Sequence, residues 1–354
     1  MATAPFHVSP ELTAIAIAYR NPVTDYIADL VMPRTHPVGK LEFSYTVYDL
    51  SAFNRPNTFV GRKGRPNEVT MSSTTQTAAI EDFGLDDLIP MSDIEQGRAI
   101  GRDIQAESVE YIMGLVKLDR ECRVAAAAQN AANFTNTATL SGSNQWSHAD
   151  SKPLTALLEY LDTPMMRPNT MILSAPVWSK LRTHPQIVKA IYPISAEGAV
   201  TRQQLADLLE LKNIHIGASY VNNAKKGQDA SLTRVWGNHC TLLYLDPTAE
   251  TSKGVTWGMT VPYGTAVAGT IDEQGVGLRG GVRVRAGESL KELVVSKGAG
   301  MLLKNCIAYG RSAIRKNHVR DAAGHIGQVR GYGAFSRRTD RGRASRHLPA
   351  HDGS

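Results

Sequence analysis

An apolar segment near the start of the chain, YIADLVMPRTHPVGK, must be buried yet cannot fold on itself. Pro33 and Pro37 prevent a helix from continuing and lack the N–H group that a strand would donate. We therefore expect an extended segment that packs on another surface, such as a neighbouring copy of the chain. The side chains assigned to this contact are Ile27, Val31 and Met32.

Alternating apolar and polar residues predict a β-hairpin after this segment. In LEFSYTVYDL the side chains of Phe43 and Tyr45 alternate with polar ones, which is the period of a strand. A second β-compatible run, EVTMSSTTQTAAI, follows a connection rich in glycine, proline and basic residues. Because a two-stranded hairpin is marginally stable alone, it needs another surface. At its tip, Arg62, Lys63 and Arg65 are predicted to meet acidic groups on a neighbouring copy.

A helical period follows the motif FGLDDLIPMSDIEQ, in which Ser92 and Glu95 have the spacing of a capping box. The period extends over residues 94–133, and glycines weaken it locally. Either the helix breaks once near Gly101, or one very long helix lies across a sheet. We favour a long helix that begins at about Gly101.

Helix and strand patterns alternate in the middle of the chain, which is typical of a compact α/β unit. The predicted elements are a helix at 153–161, a buried strand at 171–173, a helix and then a strand within 207–216, and a buried strand at 240–245. Two further β segments follow, KGVTWGMTVPYG and GVRVRAGESLKELVVSKGAGMLLKN.

Composition indicates a soluble protein with a substantial core, since 42% of the 354 residues are hydrophobic and 20% are charged. No run approaches the roughly 18 apolar residues of a membrane span. The first residues lack the basic region of a secretory signal, so none is expected. The three cysteines are far apart in the sequence and form no C-x-x-C motif, which fits a reducing cytosol without structural disulfides.

The net charge of +6 is concentrated in residues 309–354, which carry ten basic and three acidic residues. This tail has too few large apolar residues to fold, so we expect it to be disordered. Arginines with nearby Tyr332 and Phe335 suit non-specific contact with nucleic acid, while a solvated tail without a specific partner is the alternative. The candidate contact residues are Arg315, Lys316, Arg337, Arg338, Arg341 and Arg343.

Motifs that could carry catalysis or bind a cofactor fail on their context. Gly275, Gly277 and Gly280 have the G-x-G-x-x-G spacing, but no buried strand precedes them and a strand pattern follows, so they are predicted to be turn glycines. His239 and Cys240 are adjacent on a predicted strand and point to opposite faces, so they cannot bind one metal ion. We expect no enzymatic activity, no cofactor and no metal.

The order of these elements resembles the major capsid protein of tailed bacteriophages, which has the Hong Kong 97 type capsid fold. The segment DYIADLVMPRTHPV is similar to the one that leads into the family's extended hairpin, and the long helix follows SDIEQG, as the family's spine helix would. PNTMILSAPVWSKLRTHP and VWGNHCTLLYLDP resemble the axial domain, and AGMLLKNCIA resembles the closing strand. The resemblance covers roughly residues 20–308.

The resemblance implies an α+β fold with an N-terminal arm, an extended β-hairpin loop, a peripheral domain with a long spine helix, and an α/β axial domain. The implied boundaries are the arm at 1–40, the hairpin at 41–80, the peripheral domain at 81–165 and 246–308, the axial domain at 166–245, and the basic tail at 309–354.

The resemblance also implies that the protein self-assembles into the icosahedral head shell around the double-stranded DNA of a tailed phage. Hexamers and pentamers of the chain, a separate scaffolding protein, a portal and non-specific contact with packaged DNA are the expected partners, with no membrane. We expect assembly in the host bacterial cytoplasm and a place in the virion. An encapsulin-like cargo shell and a DNA-binding protein acting through its tail are the alternatives.

Overall fold

The computed structural model describes six stretches of the chain: residues 6–19, 26–48, 55–68, 73–194, 198–225 and 227–308. The helices in these stretches are α1 (Pro10–Ala18), α2 (Ala28–Val31), α3 (Met91–Ala99), α4 (Ile104–Ala128), α5 (Pro153–Asp162), α6 (Ala175–Leu181), α7 (Pro185–Ile191) and α8 (Arg202–Leu209). None of these helices is long and apolar enough to cross a lipid bilayer.

The strands belong to two five-stranded sheets and two hairpins. They are β1 (His7–Val8), β2 (Glu42–Tyr48), β3 (Ser73–Ala79), β4 (Glu81–Pro90), β5 (Asn136–Thr139), β6 (Thr170–Ser174), β7 (Asn213–Gly217), β8 (Tyr220–Asn222), β9 (Leu232–Arg234), β10 (Cys240–Leu243), β11 (Gly258–Pro262), β12 (Val267–Glu273), β13 (Gly281–Val294) and β14 (Gly300–Lys304).

The first sheet is antiparallel and lies against the long helix α4. Its central strand β13 pairs in succession with β12 and β11 along one edge, and with β4 along the other edge. The side chains of Val109, Ile112 and Val116 on α4 share a buried cluster with Val282 and Val284 of β13. The period of buried residues along α4 is therefore set by contact with one face of this sheet.

The second sheet has the strand order β5-β14-β10-β6-β7. Every residue of β6 and β10 is buried, as expected for central strands with both faces covered. Helices α5, α6 and α8 contribute Leu157, Leu181 and Leu205 to its core. The helices and strands predicted for the middle of the chain are confirmed. The boundary that the resemblance implied between the peripheral and axial domains runs through the second sheet. Strands β5 and β14 lie in the peripheral ranges, but they belong to the same sheet as β6, β7 and β10 of the axial range.

The helical run breaks once, at the predicted glycine. Gly101 has φ +74°, a left-handed conformation that favours glycine, and the chain turns there between α3 and α4. Asp103 then caps α4 by accepting hydrogen bonds from the N–H groups of the first turn. The predicted capping box at Ser92 is wrong: α3 already begins at Met91, so Ser92 lies inside its first turn.

The segment predicted to cover a neighbouring copy is buried in its own chain instead. Ile27, Val31 and Met32 are 4%, 0% and 0% exposed, in a cluster with residues of α4 and with Trp257. Beyond Pro33 the backbone follows the outer edge of β11, where N–H groups of residues 35 and 38 donate to carbonyls of β11 at 2.9 Å each. The assignment of these three side chains to a subunit interface is therefore corrected, because the chain's own helix already covers them.

Candidate subunit interface

The hairpin of β2 and β3 is a separate two-stranded sheet, as the alternating pattern predicted. Its register runs from Glu42 opposite Ala79 to Tyr48 opposite Ser73. Neither strand pairs with either of the large sheets among the described residues. The hairpin must therefore be held through side chains and its base.

The base of the hairpin is anchored on the chain's own body. Phe43 and Tyr45, each 9% exposed, pack with Met259 and Val261 of β11 and with Leu293 of β13. The Thr46 N–H group donates to the Thr251 carbonyl at 2.8 Å, beside this contact. The predicted need for another surface is thus partly met within the chain, because one face of the strands is covered.

The tip of the hairpin, residues 55–68, is exposed throughout. A turn closes it, since the Gly64 N–H group donates to the Gly61 carbonyl at 2.8 Å. Phe59 is 80% exposed, an unusual state for a large apolar side chain. Within the described stretches no carboxylate pairs with the tip cations, which are Arg55, Arg62, Lys63 and Arg65. The tip thus presents positive charge and apolar surface together.

The strand that follows the hairpin is strongly acidic, and the sequence pattern did not reveal it. In β4 the residues Glu81, Asp82, Asp86 and Asp87 break any regular apolar alternation. The strand forms because its acidic groups meet polar partners across the ladder: Asp86 forms a bidentate pair with Arg285 at 2.7 Å for both contacts. This fork geometry lowers the pKa of Asp86 below its ordinary value.

An ion network ties residues 27–34, here called the arm segment, to α4 and β13. Asp29 accepts from Arg120 at 2.6 Å and from Arg34 at 2.9 Å, and Arg34 also reaches Glu288 at 2.8 Å. Burial acts to raise the pKa of Asp29, but Arg120 and Arg34 lower it below its ordinary value. Arg120 is 3% exposed, so the carboxylate of Asp29 compensates for the burial of its guanidinium group.

A buried carboxylate, Glu121 on α4, fixes the same segment from the other side. Its Oε2 accepts from the Ala28 N–H group at 2.8 Å, while Oε1 accepts from Trp236 Nε1–H at 2.6 Å and from the Ser219 hydroxyl at 3.2 Å. Burial raises the pKa of Glu121, and these hydrogen bonds oppose the shift. Ser219, which lacks a nucleophile motif in the sequence, thus serves as a structural donor.

Ser151 and His184 form a buried serine–histidine contact that the sequence did not suggest, with Oγ and Nε2 2.9 Å apart. His184 Nδ1 accepts from the Gln186 N–H group at 3.2 Å, so the ring proton lies on Nε2. The Ser151 hydroxyl donates to the His148 carbonyl at 2.8 Å. A protonated Nε2 cannot take the serine proton, so this pair joins loops rather than forming a nucleophile.

The remaining motifs have structural roles. His239 Nδ1 accepts from the Asn305 N–H group at 3.2 Å, whereas Cys240 is fully buried in the second sheet. In the described part of the chain no cluster of histidine, cysteine or acidic side chains could hold a metal ion. Gly277 and Gly280 have φ of 55° and 75° in the turn between β12 and β13, which confirms the turn prediction.

The tail residues proposed for nucleic-acid contact lie outside the described residues. They are Arg315, Lys316, Arg337, Arg338, Arg341 and Arg343. Of the predicted interface residues, the structure therefore places the three hairpin cations together on an exposed tip and the three arm side chains in the core.

Relatives with known names are similar to the chain over most of its length. It is 44% identical over 312 residues to the major capsid protein of Pseudomonas phage JBD67, a match that spans 87% of this chain and 100% of that protein. It is 26% identical over 245 residues to the major capsid protein of Burkholderia phage BcepMu, spanning 67% of this chain and 76% of that protein. No protein-family model matches the chain.

Among solved structures, a phage-related protein from Bordetella bronchiseptica RB50 has a similar backbone. The TM-score is 0.66 at 21% identity, and the match covers 86% of this chain and 98% of that one.

Proposed function

The chain belongs to the family of phage major capsid proteins, and from this premise we propose that its basic hairpin tip joins neighbouring copies in the icosahedral head shell. The Hong Kong 97 type fold predicted from the sequence is confirmed, and the role of the chain is that of a structural capsid component of the virion. Its relatives support a phage capsid over an encapsulin-like cargo shell.

One observation carries the proposal about the tip: a firmly held base supports an exposed end whose cations have no partner in the described residues. A largely exposed phenylalanine among four cations indicates a surface that contacts another protein rather than solvent alone. Acidic groups on a neighbouring copy would neutralise Arg62, Lys63 and Arg65, and burial of Phe59 would add apolar contact. Side-chain contacts repeated at every subunit would make shell formation cooperative.

We further propose the wider arrangement that the resemblance implied. Copies group into hexamers and pentamers and assemble with a separate scaffolding protein and a portal in the host cytoplasm. In each copy, residues 81–165 and 246–308 form a peripheral domain that shares the second sheet with an axial domain at 166–245. The arginine-rich tail at 309–354 contacts packaged double-stranded DNA without reading its sequence, because phosphate neutralisation requires only cations.

Charge reversal at the tip tests the main proposal. The triple variant Arg62→Glu, Lys63→Glu and Arg65→Glu should fold normally but form few particles, because like charges would meet at the contact. A charge-conserving triple variant, Arg62→Lys, Lys63→Arg and Arg65→Lys, is the matched control. Particle yield by electron microscopy and sedimentation is the measurement, with circular dichroism to verify folding. Unchanged yield of the reversed variant would refute the role of the tip.

Deletion of residues 309–354 tests the tail. If the tail contacts DNA, particles of the shortened chain should still close, while the salt-sensitive DNA binding of the full chain should disappear. If the shortened chain binds DNA as tightly as the full chain, the proposed contact is wrong. If the shortened chain binds no DNA and forms no shells, the alternative of a DNA-binding role for the tail gains support.

A further inference from the structure

A short segment, residues 305–308, follows β14 and begins in an unusual conformation. Asn305 has φ +55°, a left-handed conformation that residues other than glycine adopt at an energetic cost. Such a conformation persists where the surrounding contacts hold it in place. The hydrogen bonds made by residues 305–308 therefore identify what fixes the chain beyond β14.

One of these hydrogen bonds ends on a partly buried histidine. His239 Nδ1 accepts from the Asn305 N–H group at 3.2 Å, so this ring nitrogen carries no proton. The Cys306 N–H group, by comparison, donates to the Asn238 carbonyl at 2.8 Å, a bond that does not depend on any titration. The contact at Asn305 thus depends on the protonation state of His239.

The loop at residues 145–151 supplies three further hydrogen bonds to the segment. They join Gln145 Nε2 to the Asn305 carbonyl at 3.0 Å, the Trp146 N–H group to the Cys306 carbonyl at 2.7 Å, and the Ala308 N–H group to the Ser147 hydroxyl at 3.1 Å. The contacts that fix this loop therefore also fix residues 305–308.

A second histidine, His184, holds the other end of the loop. Its Nε2 lies 2.9 Å from Ser151 Oγ and 3.2 Å from the His148 carbonyl, whereas Nδ1 accepts from the Gln186 N–H group at 3.2 Å. Gln186 in turn contacts the start of α5, where its Oε1 accepts from the Leu154 N–H group at 2.9 Å. His184 thus joins the loop to the first turns of two helices, α5 and α7.

Both imidazole rings would lose these contacts on gaining a proton. A protonated Nδ1 is a donor, so it would face the N–H group from which it now accepts. Burial lowers the pKa of His184 below 6.5, and the hydrogen bond to the His148 carbonyl opposes this shift. Burial also lowers the pKa of His239, and the charge of Lys304 lowers it further. Both rings are therefore neutral near pH 7 and become charged in acid.

No carboxylate of the described residues acts on the pKa of either ring. The titratable and charged groups on the elements packed against His184 are His148, Asp150, Lys152, Glu159, Arg182 and Lys189. Around His239 they are Lys304 and two thiols, Cys240 and Cys306, whose pKa values are raised by burial so that both stay neutral. A protonated ring at either position would therefore be a charge without a partner.

We propose that His184 and His239 form an acid-sensitive clamp on residues 305–308. At neutral pH the two rings accept backbone hydrogen bonds and hold the segment and the loop 145–151 on the second sheet. In acid both rings gain a proton, the Asn305 N–H group and the first turn of α7 lose their acceptors, and the loop and the segment open together. Opening frees four residues of backbone between β14 and the tail at 309–354.

Hydrogen exchange at different pH values tests the clamp in the full-length, unassembled protein. An opening that takes up one proton becomes up to tenfold more frequent per pH unit, so two histidines give up to about a hundredfold. We expect the protection of residues 145–151 and 305–308, corrected for intrinsic exchange, to fall steeply between about pH 6.5 and pH 5. Unchanged protection over this range would overturn the inference.

Asparagine at the two positions separates titration from hydrogen bonding. In the double variant His184→Asn and His239→Asn, the Oδ1 atom replaces Nδ1 as the acceptor but does not titrate. The double variant should therefore stay protected in acid. His36→Asn, at a histidine whose side chain is 89% exposed, is the matched control and should open as the wild type does. The same pH dependence in the double variant and the wild type would contradict the clamp.

The wild-type rings provide a test that does not require the double variant to fold. Nitrogen NMR of histidine-labelled protein reports the tautomer and the titration of each ring, assigned with the two single variants. Both rings should carry their proton on Nε2 at neutral pH and should titrate together with the loss of protection. Rings that titrate at or above pH 6.5, or that titrate while residues 305–308 stay protected, would exclude the clamp. The role of the hairpin tip does not enter this test, because no assembly is required.

Discussion

Removal of the Glu121 carboxylate should loosen the arm segment. In Glu121→Ala, both acceptor oxygens are lost, so the Ala28 N–H group and the Trp236 indole N–H group, which are 2.8 and 2.6 Å from them, lose their partners. Ser219 can turn its hydroxyl to another acceptor. Since Ile27 and Val31 lie beside this contact, the arm segment should detach more often from α4.

The expected loss follows from these contacts. Leaving one buried donor unsatisfied costs about 1–3 kcal/mol, so two donors cost roughly 2–6 kcal/mol. The variant also no longer buries a charge, which offsets part of that cost. We therefore expect the free energy of unfolding to fall by about 3 kcal/mol. Glu121→Gln keeps one acceptor oxygen and should lose less.

Urea titration of unassembled protein, followed by tryptophan fluorescence, measures the loss, because Trp236 itself contacts Glu121. Hydrogen exchange at residues 27–32 should rise in the same variant. Glu110→Ala, at an exposed position of the same helix, is the control and should change stability by less than about 0.5 kcal/mol. A loss below about 1 kcal/mol in Glu121→Ala, or unchanged exchange of the arm, would refute the reasoning.

Two further predictions concern charge and packing. Asp29→Asn should cost about 0.5–1 kcal/mol near neutral pH, since the partly exposed Asp29 pairs with Arg120 and Arg34. Those arginines lower the pKa of Asp29 below 3.8. The stability that Asp29 contributes is therefore present above that pH and is lost as the pH falls through its folded-state pKa. In urea titrations from pH 2 to 7, the free energies of unfolding of the two proteins should become equal in acid. Gly287→Ala should cost more than about 2 kcal/mol, because a Cβ there would lie 2.4 Å from the Phe83 carbonyl of β4. Gly275→Ala, in open space, is its control in thermal unfolding, and equal stability of the two variants would contradict the steric argument.

The acidic strand β4 shows why part of the candidate site could not be predicted. Its residues EDFGLDDLIP have neither the alternation nor the β-branched content by which strands are recognised. They form a strand because cations on β13, some 200 positions away in the sequence, pair with two of the four acidic residues: Arg285 with Asp86 and Lys291 with Glu81. The basic tip, in contrast, was evident from composition, because exposed cations between two strand patterns need no tertiary contact to be recognised.

Local patterns determined the hairpin, the buried strands at 171–173 and 240–245, the long helix and its start near Gly101, since each depends on periodicity or on the conformational freedom of one residue. Those patterns also established that Ile27, Val31 and Met32 must be buried. Only the tertiary structure decided where: against the chain's own α4 and Trp257 rather than a neighbouring copy. An apolar pattern measures how much surface must leave water, but it carries no information about which surface covers it.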